Sequence, residues 1–438
     1  MPADDNLDAL LDLDTLHASL QHANVESMTF LNEVAQLFPD AVSFAAGRPC
    51  ERYLSVEAVH RYIDLYRDHL AKELDGDLAK VRRTMLQYGR TKGIIDDLVA
   101  EHLAVDEAIH VDRESVVVTV GCQEALFLTL RALRRTERDV VLTVRPAYVG
   151  ITGAALLTDM RLLSVADSSG GLDFDDLERV LREAREEGLR PRALYIVADF
   201  ANPSGATLDL PSRYRLLELA EAYDFLVLED NPYGFFTGDD EDGLPTLKSL
   251  DRSQRVVYLG SFGKTGVPGA RVGYVVADQR ISVAEDQTEL LADQLARLKS
   301  MLTVNTSPIG QAVIGGRLLE HNLSLRAATL RERQIYRENR RQVTEGLARR
   351  FPPGEGPEVT WNSPRGGFFL VLDVPFPVTD ELLEHAGREH KVLFTPMHHF
   401  YGDGVPVPRM RLSASQLTAD EIETGLDALA RFIHEQVD

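Results

Sequence analysis

Cysteine is nearly absent from this chain: Cys50 and Cys122 are the only two among 438 residues. Two thiols cannot build a disulfide framework or a cysteine-based zinc site. Positive charge is also in short supply, with 47 Lys+Arg against 69 Asp+Glu and a formal net charge of -22. A chain this acidic has no global attraction for phosphate backbones or anionic lipid, so nucleic-acid and membrane partners are not expected. No apolar run approaches the ~20 residues needed to cross a bilayer. The start, Met1-Pro2-Ala3-Asp4-Asp5, is acidic where a secretory signal is basic and then apolar. These absences point to a soluble, cytoplasmic protein. The usual phosphate loops are missing as well: no G-x-G-x-x-G follows the early strands and no G-x-x-x-x-G-K occurs. No set of metal ligands stands out. Lysine is scarce, seven against forty arginines.

What is present is an ordinary globular balance, 44% hydrophobic and 26% charged, in a length that allows two or three domains. An arm over residues 1–45 begins with Asp4, Asp5, Asp8, Asp12 and Asp14 and turns apolar-periodic up to Phe38-Pro39. Helix-like periodicity follows around 55–75 and 93–105. Short β-branched runs then alternate with amphipathic stretches. The runs are Ser115–Val120, Val140–Val144, Arg161–Val165, Ala193–Ala198, Phe225–Glu229, Val256–Gly260 and Arg271–Val276. Helix candidates between them include Cys122–Arg134, Asp173–Glu187 and Pro211–Tyr223. That alternation predicts an α/β domain with a mostly parallel seven-stranded sheet over 46–320. After Ala277 the texture reads as helical, through Leu290–Ser300 and a charged run from Leu318 to Arg350. The remainder of 321–438 mixes strands (Gly367–Val371, Val392–Thr395, Met410–Ser413) with a helix after Thr418, a smaller α+β unit that packs with the N-terminal segment. The acidic cluster Asp239–Asp242 reads as a solvated loop.

The chemistry concentrates in Gly260-Ser261-Phe262-Gly263-Lys264-Thr265-Gly266-Val267-Pro268-Gly269-Ala270-Arg271-Val272-Gly273. It sets a lysine just after a buried-type strand, in a loop of glycines and hydroxyls, with an arginine seven residues on. A lysine there becomes a Schiff-base nucleophile if its ammonium pKa is lowered, and small residues let a bulky cofactor reach the backbone. Ser261 and Arg271 could grip a phosphate. The segment resembles the S-x-S-K-x-x-x-P-G-x-R-x-G motif of fold-type I, pyridoxal-phosphate-dependent aminotransferases of class I/II, close to the aminoadipate, kynurenine and aromatic branch. Ser261, Lys264, Pro268, Gly269, Arg271 and Gly273 match it.

Further segments follow in the family's order, and what they imply comes from that resemblance. Asn202-Pro203-Ser204-Gly205 resembles the N-P-[TS]-G turn, whose Asn would donate to the cofactor's phenolic oxygen and lie beside the substrate. Asp230-Asn231-Pro232-Tyr233 resembles the D-x-P-Y end of a strand: Asp230 would hold the pyridine nitrogen protonated and Tyr233 would reach the phenolic oxygen. Gly121-Cys122-Gln123 resembles the G-[ST]-Q turn that cradles phosphate at a helix N-terminus. Pro146-Ala147-Tyr148 resembles the segment whose tyrosine stacks on the cofactor. Leu86-Gln87-Tyr88-Gly89 with Gly93 resembles the segment whose tyrosine reaches a neighbouring subunit's cofactor, which implies a homodimer with shared active sites. Met410-Arg411-Leu412-Ser413 resembles the [LM]-R-L-S strand whose arginine clamps the substrate α-carboxylate. Arg409 shares its strand face and competes for that role.

Some residues depart from the family. Gly263 replaces a serine and Cys122 a Ser or Thr, each removing a hydroxyl that commonly faces phosphate, at about 0.5–1.5 kcal/mol per neutral hydrogen bond. The stretch Glu26-Ser27-Met28-Thr29 lacks the arginine that often assists the substrate. In Ala45-Ala46-Gly47-Arg48-Pro49, Arg48 stands where the family's G-G-L-P has an apolar residue; Gly47 and Arg48 are candidate substrate contacts, Arg48 being either a ligand for a distal carboxylate or phenol, or an exposed loop arginine. His398 and His399 either reshape the pocket or are solvated loop imidazoles. The N-terminal wording is similar to actinobacterial aminotransferases of peptide-antibiotic pathways that make hydroxyphenylglycines from arylglyoxylates. The resemblance implies transamination between an amino acid and an aromatic 2-oxo acid. Oxidation, decarboxylation or lyase chemistry on the same cofactor is the alternative.

Overall fold

The seven β-branched runs form one sheet: β1 Val116–Thr119, β2 Asp139–Arg145, β3 Arg161–Ala166, β4 Arg190–Ile196, β5 Leu226–Asp230, β6 Val256–Ser261 and β7 Gly273–Val276. Their order is β1-β7-β6-β5-β4-β2-β3, parallel throughout except for β7. The structure is a computed structural model and describes residues 11–168, 170–238 and 243–437; in the helix Ala23–Leu37 the side chains at 23–26, 28, 31 and 32 are not among them. The acidic start at Asp4, Asp5 and Asp8, the side chains of Glu26 and Met28, and the run Asp239–Asp242 therefore lie outside the described residues.

Strands covered on both faces need apolar residues at every position, and alternation sends successive side chains to opposite layers. Val117, Val141, Leu228, Val257 and Val275 meet Leu126, Ile151 and Leu295 from the helices Gly121–Leu133, Val149–Leu157 and Leu291–Leu302. On the other face, Leu142, Leu194 and Val227 pack on Leu177, Leu181 and Leu216 from Phe174–Glu186 and Leu210–Ala222. Both of those helices start at an aspartate: Asp173 accepts from the Asp175 and Asp176 amides, and Asp209 from that of Ser212.

Two expectations change. The chain after Ala277 is not helical at once; Arg280–Ala284 and Gln287–Leu290 first pair as an antiparallel hairpin. Most of its residues are exposed, so no buried face imprinted a period of two, and Asp286 takes the left-handed turn at φ 62°. The run Val392–Thr395 is not one strand. Val392–Leu393 pairs in parallel with Val42–Ser43, while Thr395–Pro396 joins Val407–Ser413. The second sheet is antiparallel, in the order Thr360–Trp361, Phe369–Val378, Val407–Ser413, Thr395–Pro396. Its core includes Val34 and Phe44 from the N-terminal segment beside Leu347, Phe394 and Phe432. Among the described residues no helix is long and apolar enough to cross a membrane.

Candidate active site

In a parallel sheet the strand carboxyl ends share one edge, and the motif residues sit there. Asp230 ends β5, Ser261 ends β6, and Asn202 follows β4. A cavity of about 200 Å³ brings Asp230, Asn202, Tyr233, Lys264, Tyr148 and Arg411 together, with Gly47, Arg48, Cys122 and Ser261 also on its wall. A larger cleft of about 570 Å³, bordered by Leu189, Arg190, Phe225 and Arg255 at the strands' amino ends, contains none of the motif residues.

Strand parity separates two adjacent acids. Glu229 turns away from the cavity and accepts the amides of Leu247 and Lys248, at 2.7 and 2.8 Å. Asp230 turns inward, where its Oδ2 accepts from the Tyr195 hydroxyl at 2.7 Å and its Oδ1 from the Cys122 thiol at 3.4 Å. Burial pushes Asp230 up to about 6, against the pull of both donors and of Lys264. The thiol is itself raised by burial and stays a donor. Cys122 therefore bonds to the acid. Tyr195 belongs to the neighbouring strand, in register with Leu228, and sequence reasoning missed it. The available signal was a tyrosine near the carboxyl end of a strand that pairs with the acid's own.

Lys264 sits in the single turn Phe262–Thr265, whose first amides Ser261 caps through Gly263 N (3.1 Å). Its Nζ donates to the Gly47 carbonyl at 2.7 Å. Burial, then the cations Arg411, Arg48 and Arg271, lower its ammonium to about 8, with Asp230 opposing. Tyr233 rests edge-on against Phe368 and Phe369, and burial holds its phenol above the ordinary range, opposed by the hydrogen bond with Asn202. The Tyr148 phenol is raised by the same cause.

Arg411 and Arg409 share a strand and part company by their neighbours. Arg409 pairs with Asp373 at 2.5 Å. Arg411 donates to Asn202 Oδ1 (2.6 Å), Ala45 O (2.9 Å) and Thr395 Oγ1 (3.1 Å), with its guanidinium over the Phe369 and Phe400 rings. Its Nε is buried without a partner, and among the described residues no carboxylate pairs with it. Burial lowers it to about 10, so it stays charged at neutral pH. A buried cation held only by neutral acceptors is a receptor for a carboxylate. Replacing Arg411 with Leu is expected to lower kcat/KM for a carboxylate substrate by about 100-fold, near the lower end for losing one member of a buried charge pair. Initial rates across substrate concentration check this, and a change below threefold would remove Arg411 from the role.

Arg271, left-handed at φ 52° after the turn Pro268–Ala270, lays its guanidinium over the start of the helix Gly121–Leu133. Gly121 takes φ 71°, where a Cβ would be strained and would meet Arg271 Nη2 at 2.5 Å, and a Cβ at Gly273 would come within 2.6 Å of the Cys122 amide, so both positions call for glycine. A cation facing free helix amides is a phosphate cup. Gln123 donates to Gly150 O at 2.7 Å, and its Oε1 is buried without a partner. Anion cup, buried acid, lysine of lowered pKa and apolar walls fit a pyridoxal phosphate.

Of the predicted site residues, Gly121, Gln123, Arg271 and Tyr88 are not on the cavity wall; the first three form the cup beside Cys122, while Tyr88 and the two histidines lie apart. Tyr88 is 83% exposed on the loop after Leu78–Leu86. His398 and His399 are neither solvated nor on the cavity wall; they are buried beside Asp380, and it is Phe400 that faces the cavity.

Residues 63–429 match the family model of class I and II aminotransferases. A curated relative from Amycolatopsis orientalis, (S)-3,5-dihydroxyphenylglycine transaminase, is 54% identical over 98% of this chain and 95% of its own. Among solved structures, the kynurenine aminotransferase of Pyrococcus horikoshii superposes with a TM-score of 0.77 at 27% identity, covering 93% of this chain and 95% of that one. The alpha-aminoadipate aminotransferase of Thermus thermophilus, complexed with N-(5'-phosphopyridoxyl)-L-leucine, gives 0.75 at 29%, covering 94% and 97%. The anion cup, the buried acid and the lysine between them thus belong to a class I and II aminotransferase, a transaminase of the fold-type I group that works with pyridoxal phosphate.

Proposed function

We propose that this aminotransferase interconverts an arylglyoxylate-type 2-oxo acid and the corresponding hydroxyphenylglycine, with an amino acid such as glutamate completing the cycle. The observation that carries the reading is the 54% identity, over nearly the whole chain, to the dihydroxyphenylglycine transaminase. The cavity supports it: beyond Tyr148 and Tyr233, which this reading gives to the cofactor, Phe369 and Phe400 set aromatic rings against the Arg411 guanidinium, where an aryl group on Cα would lie. Arg48, on the same wall, is placed for a phenol or a distal carboxylate.

In this reading Lys264 holds the cofactor covalently and, as a neutral amine, is the base for the substrate's Cα proton. Asp230 keeps the ring nitrogen protonated, Asn202 and Tyr233 hold the phenolic oxygen, and Tyr148 stacks. Ser261, Arg271 and the amides of Gly121, Cys122 and Gln123 take the phosphate. Arg411 clamps the α-carboxylate, while Gly47 and Arg48 border the substrate's far side. When bound, pyridoxal phosphate supplies an electron-withdrawing ring that stabilises negative charge at Cα. The chain divides into an arm (1–45), a large domain (46–320) and a small domain (321–438). It acts in the cytoplasm as a homodimer, with Tyr88 reaching the second copy's site. Exposed Leu86, two residues from Tyr88, and exposed Val304, next to the Asn305 whose side chain approaches Gly89, favour that pairing.

The test adds L-3,5-dihydroxyphenylglycine, L-4-hydroxyphenylglycine or L-glutamate to purified enzyme without an acceptor and records the visible spectrum. The yellow form should bleach with a hydroxyphenylglycine and return when a 2-oxo acid is added. Bleaching by glutamate with no response to either hydroxyphenylglycine would overturn the substrate class. Return without any oxo acid, with oxygen consumed, would favour the oxidase alternative.

The lowered Lys264 pKa makes a separate prediction. Capture of pyridoxal phosphate by the apoenzyme needs the neutral amine, so its rate should rise with pH and level off with a midpoint near 8. Arg411→Leu removes a cation that lowers the pKa, and the midpoint should move to higher pH. Growth of the visible band after mixing reads both; a wild-type midpoint near the ordinary lysine value would refute the assignment.

A further inference from the structure

Behind the cavity, three elements converge on one carboxylate. Asp380 opens the short helix Asp380–His385, His398 and His399 precede Phe400, and Ser27 and Phe30 come from the helix Ala23–Leu37. His399 Nε2 lies 2.9 Å and His398 Nε2 3.4 Å from Asp380 Oδ1. Both imidazoles are at least nine-tenths buried.

The outer nitrogens fix the chemistry. His398 Nδ1 is 3.3 Å from the Val378 carbonyl, which can only accept, so Nδ1 carries a proton. In the neutral ring Nε2 then turns a lone pair toward the carboxylate oxygen, acceptor against acceptor. His399 Nδ1 lies 2.9 Å from Ser27 Oγ, a hydroxyl that can accept from it or donate to it, so this ring too can turn a lone pair to the same oxygen. The two ring centroids are 4.2 Å apart, which brings both imidazoles to one carboxylate oxygen from adjacent positions. A single cation among the three donor atoms relieves the conflict at His398 Nε2 and is shared with His399.

From this geometry we infer that Asp380, His398 and His399 form a binding site for a first-row divalent metal ion of the zinc type. Two imidazole Nε2 atoms and a carboxylate are a standard donor set for such an ion. Bonds of about 2.0–2.1 Å place neighbouring ligand atoms about 3 Å apart, in line with the separations to Asp380 Oδ1. The Ser27 hydroxyl and Val378 carbonyl supply the outer hydrogen bonds that ligating histidines require. The Asp380 side chain is 41% exposed and provides the entry path. The ion's role is to fasten the N-terminal helix to the loop carrying Phe400, whose ring lies under Arg411. A second set, the half-buried His385 and His390 with the exposed Glu435, competes for added metal.

The experiment uses untagged holoenzyme carrying His390→Ala, which disables that second set, stripped with chelator and dialysed. Zinc uptake is measured by mass spectrometry of the metal, and Co(II) binding by its d–d bands at wavelengths beyond the cofactor's absorption. One equivalent of zinc, a Co(II) spectrum and a higher Tm with metal are expected. Asp380→Asn, nearly isosteric, should weaken Co(II) binding at least tenfold, and Ser27→Ala by about tenfold. Failure of the intact cluster to take up an equivalent overturns the site and leaves a hydrogen-bonded cluster. Uptake that survives in a folded Asp380→Asn/His399→Ala variant, with its cofactor spectrum retained, overturns it equally.

Discussion

Lys264→Ala is expected to lower transamination by about 10^4-fold or more while the protein stays folded. In the proposed mechanism one substitution removes two contributions: the covalent hold on the cofactor and the base for the Cα proton, the second alone contributing about 10^2–10^4-fold. The amine is irreplaceable in its setting. The other buried lysines, Lys92, Lys248 and Lys299, are engaged with Asp293, Asp278 and Glu124, and Arg411 cannot lose its proton at neutral pH. Alanine adds little strain, since Lys264 contributes one hydrogen bond, to Gly47 O. The check is single-turnover rate together with the visible spectrum. The ordinary yellow band should vanish while circular dichroism is unchanged. A normal band with normal turnover would mean another nucleophile holds the cofactor.

Asp230→Asn comes next, with an expected loss of about 10^3-fold, at the upper end for removing one preorganised electrostatic partner from a closed site. An amide has nearly the same shape but no negative charge to keep a ring nitrogen protonated. The site is built for the anion: Tyr195 and Cys122 both donate to this carboxylate. Tyr195→Phe removes one neutral donor and should cost less than about tenfold, in keeping with ~0.5–1.5 kcal/mol per hydrogen bond. Steady-state kcat for both variants tests the ranking. If Asp230→Asn retained a tenth of the activity, or Tyr195→Phe fell as far, charge at this position would not be the operative feature.

The parts of the site legible in the sequence are those whose geometry is local. Lys264, Arg271 and Gly273 lie within ten residues, and turns of Gly, Pro and hydroxyl residues dictate their backbone. Asn202, Asp230 and Tyr233 mark strand ends, where alternation and a following Pro locate them. Six of the seven strands were readable because burial on both faces demands near-continuous apolar runs; the edge strand Arg161–Ala166 has Val165 as its one buried residue. What escaped depends on distant chain. Arg409 and Arg411 have the same parity; the family match chose Arg411, but what holds Arg409 away, Asp373 from the neighbouring strand, was not visible. Tyr195 acquires meaning from the strand beside it. His398 and His399 are organised by Ser27, 372 residues away. The hairpin at Arg280–Leu290 left no pattern because almost nothing covers it.

The pairing of Val42–Ser43 with Val392–Leu393 has a consequence for synthesis. Phe44 and Ala45 continue from that strand, and the carbonyls of Ala45 and Gly47 receive Arg411 and Lys264. This wall of the pocket must wait for a segment 350 residues further along, Val42 against Val392, before it has a strand to lie against. Domains generally fold as units during synthesis; here the seam joins distant segments and withholds a finished site until both have been made. The seven-stranded sheet and the anion cup can form before then, but Arg411, the proposed carboxylate clamp, comes later in the chain than Val392–Leu393.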